Sequence, residues 1–580
     1  MRVCARIDTW VIESKTGKEH RLQGVRIFFG PFLFRKNTGL GNGENAMDIQ
    51  QAIRNFVPQD ACERENKAAL LADLARYGEG LFLRTQEDAH LTASGFILDP
   101  EMREILMVYH LIYQSFSWTG GHADGETDLL SVALREAKEE TGVTEIWPLS
   151  GQILSIDRFW VPAHQKHGRA VKAHVHYSVA YGLIAPKNQT LTVKSDENSA
   201  VEWIAESMLE ENCQEKKMIP VYRKIWARMQ AINAERATLY ARLPGALLPW
   251  YKEHARNLPW RQDREPYHVW VSEIMLQQTR VEAVKGYYAR FLAVLPTVEA
   301  LADVEEEKLL KLWEGLGYYS RARNLQKAAR EIMTRYGGRF PDSYDGIRAL
   351  PGVGDYTAGA IASICLELPI AAVDGNVIRV LSRILERFDP SGSPALKKRL
   401  AASLEVVYPI GNCGNFTQSL MELGATVCTP NGAPKCALCP AGSFCRAFQH
   451  DTVGLLPAKQ PKKPRKTEQR TVFVYFCEGK LAVRRRKARG LLAGCWELPN
   501  CTGWLSEQEA AAAAGEDGVY PVSLDRALQK KHIFTHMEWE MVAYFFSCKA
   551  ESDCFRWVTK AELQEEIALP TAFRMFLSDL

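Results

Sequence analysis

The sequence predicts a multidomain protein: an α+β domain, an all-helical core closed by a cysteine-rich loop, and a second α+β domain. Three observations point there. The chain has 580 residues, of which 46% are hydrophobic and 24% charged; this exceeds one core, and at roughly 150 residues per domain about four units are expected. Its apolar periodicity changes from strand-like runs around one strong helix, to helices throughout, and back to strands. Four of the 14 cysteines crowd into residues 428–445, which points to a metal centre in a reducing compartment rather than to a secreted disulfide framework.

Composition narrows the class further. No run of about 18 uncharged apolar residues occurs, and the N-terminus lacks the order of a secretory signal. A soluble, cytoplasmic monomer with no membrane partner is expected. The net charge of +3 is too small to imply nucleic acid by itself, so any electrostatic footprint must be local.

Taken in order, residues 1–46 carry apolar patches from Val25 to Phe34 and an Asn/Gly run from Asn37 to Asn45, with no motif. They form an unassigned extension, and the cleaner helical pattern opening at Met47 suggests a natural start there. Residues 47–240 mix strands (Phe96–Leu98, Ile105–Tyr113, Val175–Ile184) with one helix. Residues 241–457 read as helical from Leu247 onward, interrupted by turns such as Leu350-Pro351-Gly352-Val353-Gly354. Residues 458–470 form a basic linker with Lys462, Lys463, Arg465 and Lys466 around Pro461 and Pro464; it either lies near phosphates or is a solvated connector. Residues 471–580 close the chain with strands at Thr471–Phe476, Lys480–Val483 and Val542–Ser547 and a helix at Ala510–Ala514.

In the first α+β domain, Gly120-Gly121 leads into a helix ending Arg135-Glu136-Ala137-Lys138-Glu139-Glu140-Thr141-Gly142-Val143. Positions i, i+3 and i+4 share a helix face, so Glu136, Glu139 and Glu140 can converge on hard dications, which neutralise diphosphate oxygens and activate water. A solvated acidic face is the alternative. The run resembles the Nudix box, G-x5-E-x7-R-E-U-x-E-E-x-G-U, except that Thr127 stands where the family has its first glutamate, between Glu126 and Asp128. The resemblance implies that Glu136, Glu139 and Glu140 bind magnesium (Mg2+) or serve as base, Glu136 catalytically, in hydrolysing a nucleoside diphosphate derivative. Oxidised dGTP is suggested only by the fusion partner. A catalytically inactive Nudix binding module is the alternative.

Three features of the helical core coincide. Leu350 to Gly359 lies between two helical stretches, and Gly352 and Gly354 let backbone N–H groups and a helix N-terminus approach a phosphate. Val373-Asp374-Gly375-Asn376 precedes a helix with an apolar stripe at Val377, Val380, Leu381 and Ile384, so Asp374 stands at a cap position. Cys428, Cys436, Cys439 and Cys445 are spaced C-x7-C-x2-C-x5-C; four thiolates suit a [4Fe-4S] cluster, with zinc as the alternative.

These features resemble the helix-hairpin-helix DNA glycosylases that carry an iron–sulfur cluster, although the first cysteine gap is one residue longer than the family's C-x6-C-x2-C-x5-C. Ser272-Glu273-Ile274-Met275-Leu276-Gln277-Gln278-Thr279-Arg280 and Gly315-Leu316-Gly317-Tyr318-Tyr319-Ser320-Arg321-Ala322-Arg323 are similar to the adenine glycosylases of the MutY type. An endonuclease III-like glycosylase/lyase is the rival, but Tyr356 stands where such lyases carry their lysine. The resemblance implies hydrolysis of the glycosidic bond of adenine mispaired with 8-oxoguanine or guanine in double-stranded DNA. Glu273 is then the acid and Asp374 the stabiliser of a charged sugar, with Tyr356 and Asn376 beside it. Gln278 and Tyr318 would enter the gap left by a flipped base. The last domain lacks a Nudix box; its Gly490 to Pro499 run resembles the family's recognition domain, and Phe534-Thr535-His536 resembles the F-S-H loop that checks for 8-oxoguanine, with threonine replacing serine.

Overall fold

A computed structural model describes residues 49–166, 169–459, 464–487 and 489–578, together with the short pair Ala5–Arg6 and Thr9–Trp10. The chain divides into two units, Met1–Ala46 and Met47–Leu580. Among the described residues the first contributes that antiparallel pair, and the patches at Val25–Phe34 and Asn37–Asn45 lie outside the described residues. Among the described residues, no helix is long and apolar enough to cross a membrane.

In the second unit, helix α1 (Ala61–Tyr77) precedes an eight-stranded mixed sheet. Its strands include β1 (Ala89–Leu98), β2 (Glu104–His110), β3 (Thr119–His122), β4 (Ser155–Val161), β5 (His174–Ile184) and β6 (Asn198–Ala205). β1 and β5 are parallel, with His176 beside His90. Parallel strands need covering on both faces, and their burial is nearly continuous. Helix α2 (Leu129–Thr141) packs across β1 and β3; Asp128 caps its start by accepting from Ser131 N at 3.1 Å, and Gly142 ends it at φ +74°.

Helix α3 (Ile219–His254) is 36 residues long, and the boundary expected at 240/241 falls inside it. Its first half buries Tyr222, Ile225, Trp226 and Met229 against the sheet. Its second half buries Leu239, Tyr240, Leu243 and Leu247 against the helical core. One apolar face serves two cores, so no linker separates them. Arg236, between the halves, donates to Leu149 O at 2.7 Å, Leu385 O at 3.0 Å and Glu386 O at 2.8 Å; buried carbonyls from both domains are satisfied by one guanidinium.

The helical core includes α4 (Pro266–Leu276), α5 (Ser320–Tyr336), α6 (Tyr344–Arg348), α7 (Asp355–Leu366), α8 (Gly375–Ile384) and α9 (Cys413–Thr426). Every residue of α7 from Thr357 to Ile364 is buried, as expected of a helix packed on all sides. The last domain is a seven-stranded sheet with helix α10 (Glu507–Glu516); its strands include β7 (Lys466–Cys477), β8 (Lys480–Arg485), β9 (Pro521–Ile533) and β10 (Met537–Cys548). It too is built on a parallel pair, β7 and β10. β7 begins at Lys466, not Thr471, because Lys466–Gln469 already pair with Met537–Glu540. Of the expected linker, residues 460–463, with Lys462 and Lys463, lie outside the described residues.

Candidate active site

Glu273, Tyr356, Asp374 and Asn376 line one cavity of about 580 Å³, which Ser272, Gln277, Gln278 and Lys397 also border. That volume is within the range that holds a small ligand. Glu273 is on the last turn of α4 and only 6% exposed. Burial pushes its carboxyl up to about 7, helped by the charge of Asp374 and opposed by the Tyr356 hydroxyl, which donates to Oε2 at 2.5 Å. Tyr356 is in the first turn of α7, directly after the hairpin.

Asp374 is both a cap and a cavity residue. Its Oδ1 accepts from Val377 N and its Oδ2 from Asn376 Nδ2, each at 2.7 Å. Burial raises its carboxyl above the ordinary range, while those donors and Arg379 hold it back. The N-terminus of α8 further favours the anion. The site thus pairs a dry carboxyl with a hydrogen-bonded one.

One strained turn, at Gln278, borders the cavity, and Arg321 ties it to a second, at Tyr318. Gln278 and Tyr318 adopt φ +59° and +47°, left-handed conformations that cost non-glycine residues about 1–3 kcal/mol. Arg321 holds both turns. Its Nη1 donates to Ile274 O at 2.6 Å, Met275 O at 3.3 Å and Gln277 O at 2.7 Å, and its Nη2 to Leu316 O at 3.0 Å and Gly317 O at 3.2 Å. The orphan carbonyls at the end of α4 are thereby satisfied. Gly352, at φ +76°, lets the hairpin turn pass Asn324 where a Cβ would come within 2.6 Å of its side chain; Gly354 caps α7.

Phe534, Thr535 and His536 form the turn between β9 and β10. Tyr318, 46% exposed, hydrogen-bonds Thr535 across 217 residues of sequence. Around it, Lys311 Nζ donates to Leu563 O and Ile567 O at 3.0 Å each, and Arg323 Nη1 to Ala493 O at 2.8 Å. The last domain is thus fastened to the helical core around the Tyr318 turn.

Cys428, Cys436, Cys439 and Cys445 surround a second cavity beside Arg383. Burial raises the Cys436 thiol, Cys439 to about 11 and Cys445 to about 12, so these sulfurs ionise only for a strongly positive partner. Across the first gap, Lys435 N donates to Val427 O at 3.0 Å. Arg379, on α8, ties this loop to the active site: it donates to Cys428 O, Gly424 O and Asn376 Oδ1, each at 2.8 Å.

In the first domain, Glu136, Glu139 and Glu140 lie on α2 as spaced. Burial pushes Glu140 up to about 8, although it accepts from Gly120 N at 3.1 Å. Glu136 lies against Gly121, where a Cβ would meet its carboxyl carbon at 2.4 Å. Arg135 reaches Glu136 at 3.3 Å, Glu139 at 3.9 Å and also Glu126. Of the residues flanking Thr127, Asp128 serves as the helix cap and Glu126 pairs with Arg135. The three carboxylates share one helix, but in this structure their oxygens are not gathered within 4.8 Å of one another, so the convergence expected from their spacing is not formed here.

Residues 271–400 match the model of the HhH-GPD superfamily of base excision DNA repair proteins, and residues 88–228 and 471–579 each match a NUDIX domain model. The core is therefore a helix-hairpin-helix base-excision domain between two Nudix folds. The chain is 34% identical to the adenine DNA glycosylase of Homo sapiens over 57% of its own length and 73% of the relative's. It is also 34% identical to that of Mus musculus, over 57% and 77% respectively. Among solved structures, a thermostable thymine-DNA glycosylase is 28% identical over 37% of this chain and 98% of its own, with a TM-score of 0.34. The chain belongs to the adenine DNA glycosylase family.

Sequence reasoning missed Arg321 and Arg379. The orphan carbonyls that follow any helix end were the available signal for Arg321; nothing local marked Arg379. Replacing Arg321 by Met should leave several carbonyls unpaired, cost at least about 3 kcal/mol, and lower the denaturant midpoint of the core. An unchanged midpoint would contradict the clamp.

Proposed function

We propose that the core is a monofunctional glycosylase that removes adenine mispaired with 8-oxoguanine or guanine, and that the first domain is a magnesium-dependent Nudix hydrolase of a nucleoside diphosphate derivative. The observation that carries the glycosylase reading is Glu273, dry and held near neutral pH as an acid, in one cavity with Asp374. Adenine leaves poorly as an anion, so a ring nitrogen must be protonated first, and Glu273 donates that proton. The sugar develops oxocarbenium character, which the Asp374 carboxylate stabilises as in glycoside hydrolysis. Asn376 fixes Asp374, and Tyr356 orients Glu273.

Because a stacked base cannot enter the cavity, it is flipped out at a cost of a few kcal/mol, smallest at a mismatch. Gln278, raised on its strained turn at the rim, fills the gap. Tyr318 and Thr535, joined to each other, face the partner base together with Phe534 and His536, while Gly352 and Gly354 of the hairpin take a backbone phosphate. The four cysteines hold a [4Fe-4S] cluster, which supplies a fixed framework for the loop that Arg379 connects to Asn376. No step of the hydrolysis needs electron transfer.

A lyase is the second reading, favoured by one observation: Lys397 borders the same cavity. Duplexes carrying adenine opposite 8-oxoguanine, guanine or thymine, treated with alkali after incubation, distinguish the readings. Adenine loss should favour 8-oxoguanine and fall by at least about 10³-fold in Glu273→Gln, with no borohydride-trapped adduct. An adduct lost in Lys397→Ala would establish the lyase.

For the first domain, full-length protein with magnesium and a panel of nucleoside di- and triphosphates, oxidised dGTP included, should release phosphate or pyrophosphate, and Glu139→Gln should abolish this. Absence of magnesium-dependent turnover across the panel would make the domain a binding module.

A further inference from the structure

Four histidines stand together on the first sheet. His90 is on β1, His122 ends β3, and His174 and His176 are on β5. β1 lies between the other two: His90 is opposite His176, and Thr92, two residues along, is opposite His122. Residues opposite one another, or two apart on a strand, share a face, so all four rings stand on the same side. Gly121, next to His122, turns to the other side, against Glu136. The sheet therefore separates the histidines from the glutamates of α2.

The rings are close. Centroids lie 4.6 Å apart for His90 and His176, and 5.0 Å for His90 and His122 and for His122 and His176. One ring nitrogen from each of these three lies within 4.8 Å of the others.

For neutral rings, as a metal ligand requires, the hydrogen bonds assign the tautomers. His90 Nδ1 is 3.2 Å from Gln86 O; a carbonyl only accepts, so Nδ1 carries the proton and Nε2 the lone pair. That Nε2 is buried with no hydrogen-bond partner, on a residue 5% exposed. His174 Nδ1 is 2.8 Å from Lys172 O, and its Nε2 is 3.0 Å from His176 Nε2. By the same logic His174 accepts and His176 donates, which makes Nδ1 the lone-pair nitrogen of His176. Metal-ligating histidines characteristically give their second N–H to such a partner.

We propose that His90, His122 and His176 bind one transition-metal dication, zinc by chemistry, with His174 as a positioning residue for the His176 ring. Imidazoles suit zinc, nickel or copper and not magnesium. Around a zinc ion at about 2.0–2.1 Å, ligand nitrogens sit about 3.3 Å apart, so the rings close by up to about 1.5 Å. Three protein ligands leave one position for water or a ligand oxygen. The ion would pin β3 to β1 and β5, and with β3 its Gly120-Gly121 pair, against which Glu136 and Glu140 rest. This site requires neither the glycosylase reading nor magnesium at the glutamates.

The test uses cluster-loaded, full-length protein stripped with a mild chelator. Zinc is titrated against a chromogenic zinc chelator, and zinc and iron are counted by mass spectrometry. One zinc per chain should bind with iron unchanged. His122→Gln and His176→Gln, both at partly exposed positions, should weaken zinc binding more than about 100-fold, and His174→Ala about 10- to 100-fold. Glu136→Gln should leave zinc binding unaltered. Zinc should raise the melting temperature of the wild type and not of His122→Gln. Wild type that fails to compete for zinc, or His122→Gln/His176→Gln that binds it as tightly as wild type with unchanged circular dichroism, would overturn the proposal.

Discussion

Glu273 is a carboxyl taken out of water at the end of α4 and given one strong partner, the Tyr356 hydroxyl at 2.5 Å. Desolvation disfavours the anion, and the nearby Asp374 charge disfavours it further, so the group holds a proton near neutral pH. Every other feature of the cavity serves that constraint. The fully packed α7 carries Tyr356 directly behind the hairpin, so the element proposed to meet DNA also sets the acid. Asp374, by contrast, spends its carboxylate on donors at the start of α8 and stays the more polar of the two. Their separation is what lets two like groups divide one reaction.

Three arginines make that arrangement stiff across long stretches of sequence. Arg321 gathers the carbonyls of two turns that would otherwise be orphaned, which sustains the strained backbone of Gln278 and Tyr318. Arg379 spans from the cysteine loop to Asn376, so that loop bears on the geometry of the cavity. Arg236 joins the two domains that share α3. Arg236 and Arg379 are buried and Arg321 half-buried; each guanidinium is tolerated because several carbonyls meet its terminal nitrogens at once.

Much of the site was legible because it is local. Glu273, the hairpin glycines, Asp374 and the four cysteines sit in short runs whose residue types and spacings point to their proposed chemistry, and the shared helix of the three glutamates, though not their convergence on an ion, follows from helical geometry. What was illegible depends on distant partners. The domain boundary at 240/241 fell in mid-helix because the apolar stripe of α3 continues while the core beneath it changes. The contact between Tyr318 and Thr535 joins two turns that share no pattern. The start of β7 was read as a basic linker because Lys466 and its neighbours pair through backbone atoms that their charged side chains do not reveal. The histidine face needs the register of three strands, one of them parallel, which period-two alternation does not give.

The direct test of the acid is the pH dependence of kcat/KM for adenine release, measured for wild type, Tyr356→Phe and Asp374→Asn. A general acid must be protonated, so activity should fall as pH rises through about 7. The Tyr356 hydrogen bond stabilises the anion, so its removal should move that alkaline limb to higher pH. Asp374 destabilises the anion, so neutralising it should move the limb to lower pH, on a reduced rate. A limb that stays fixed in both variants, or shifts the opposite way, would mean that Glu273 does not deliver the proton.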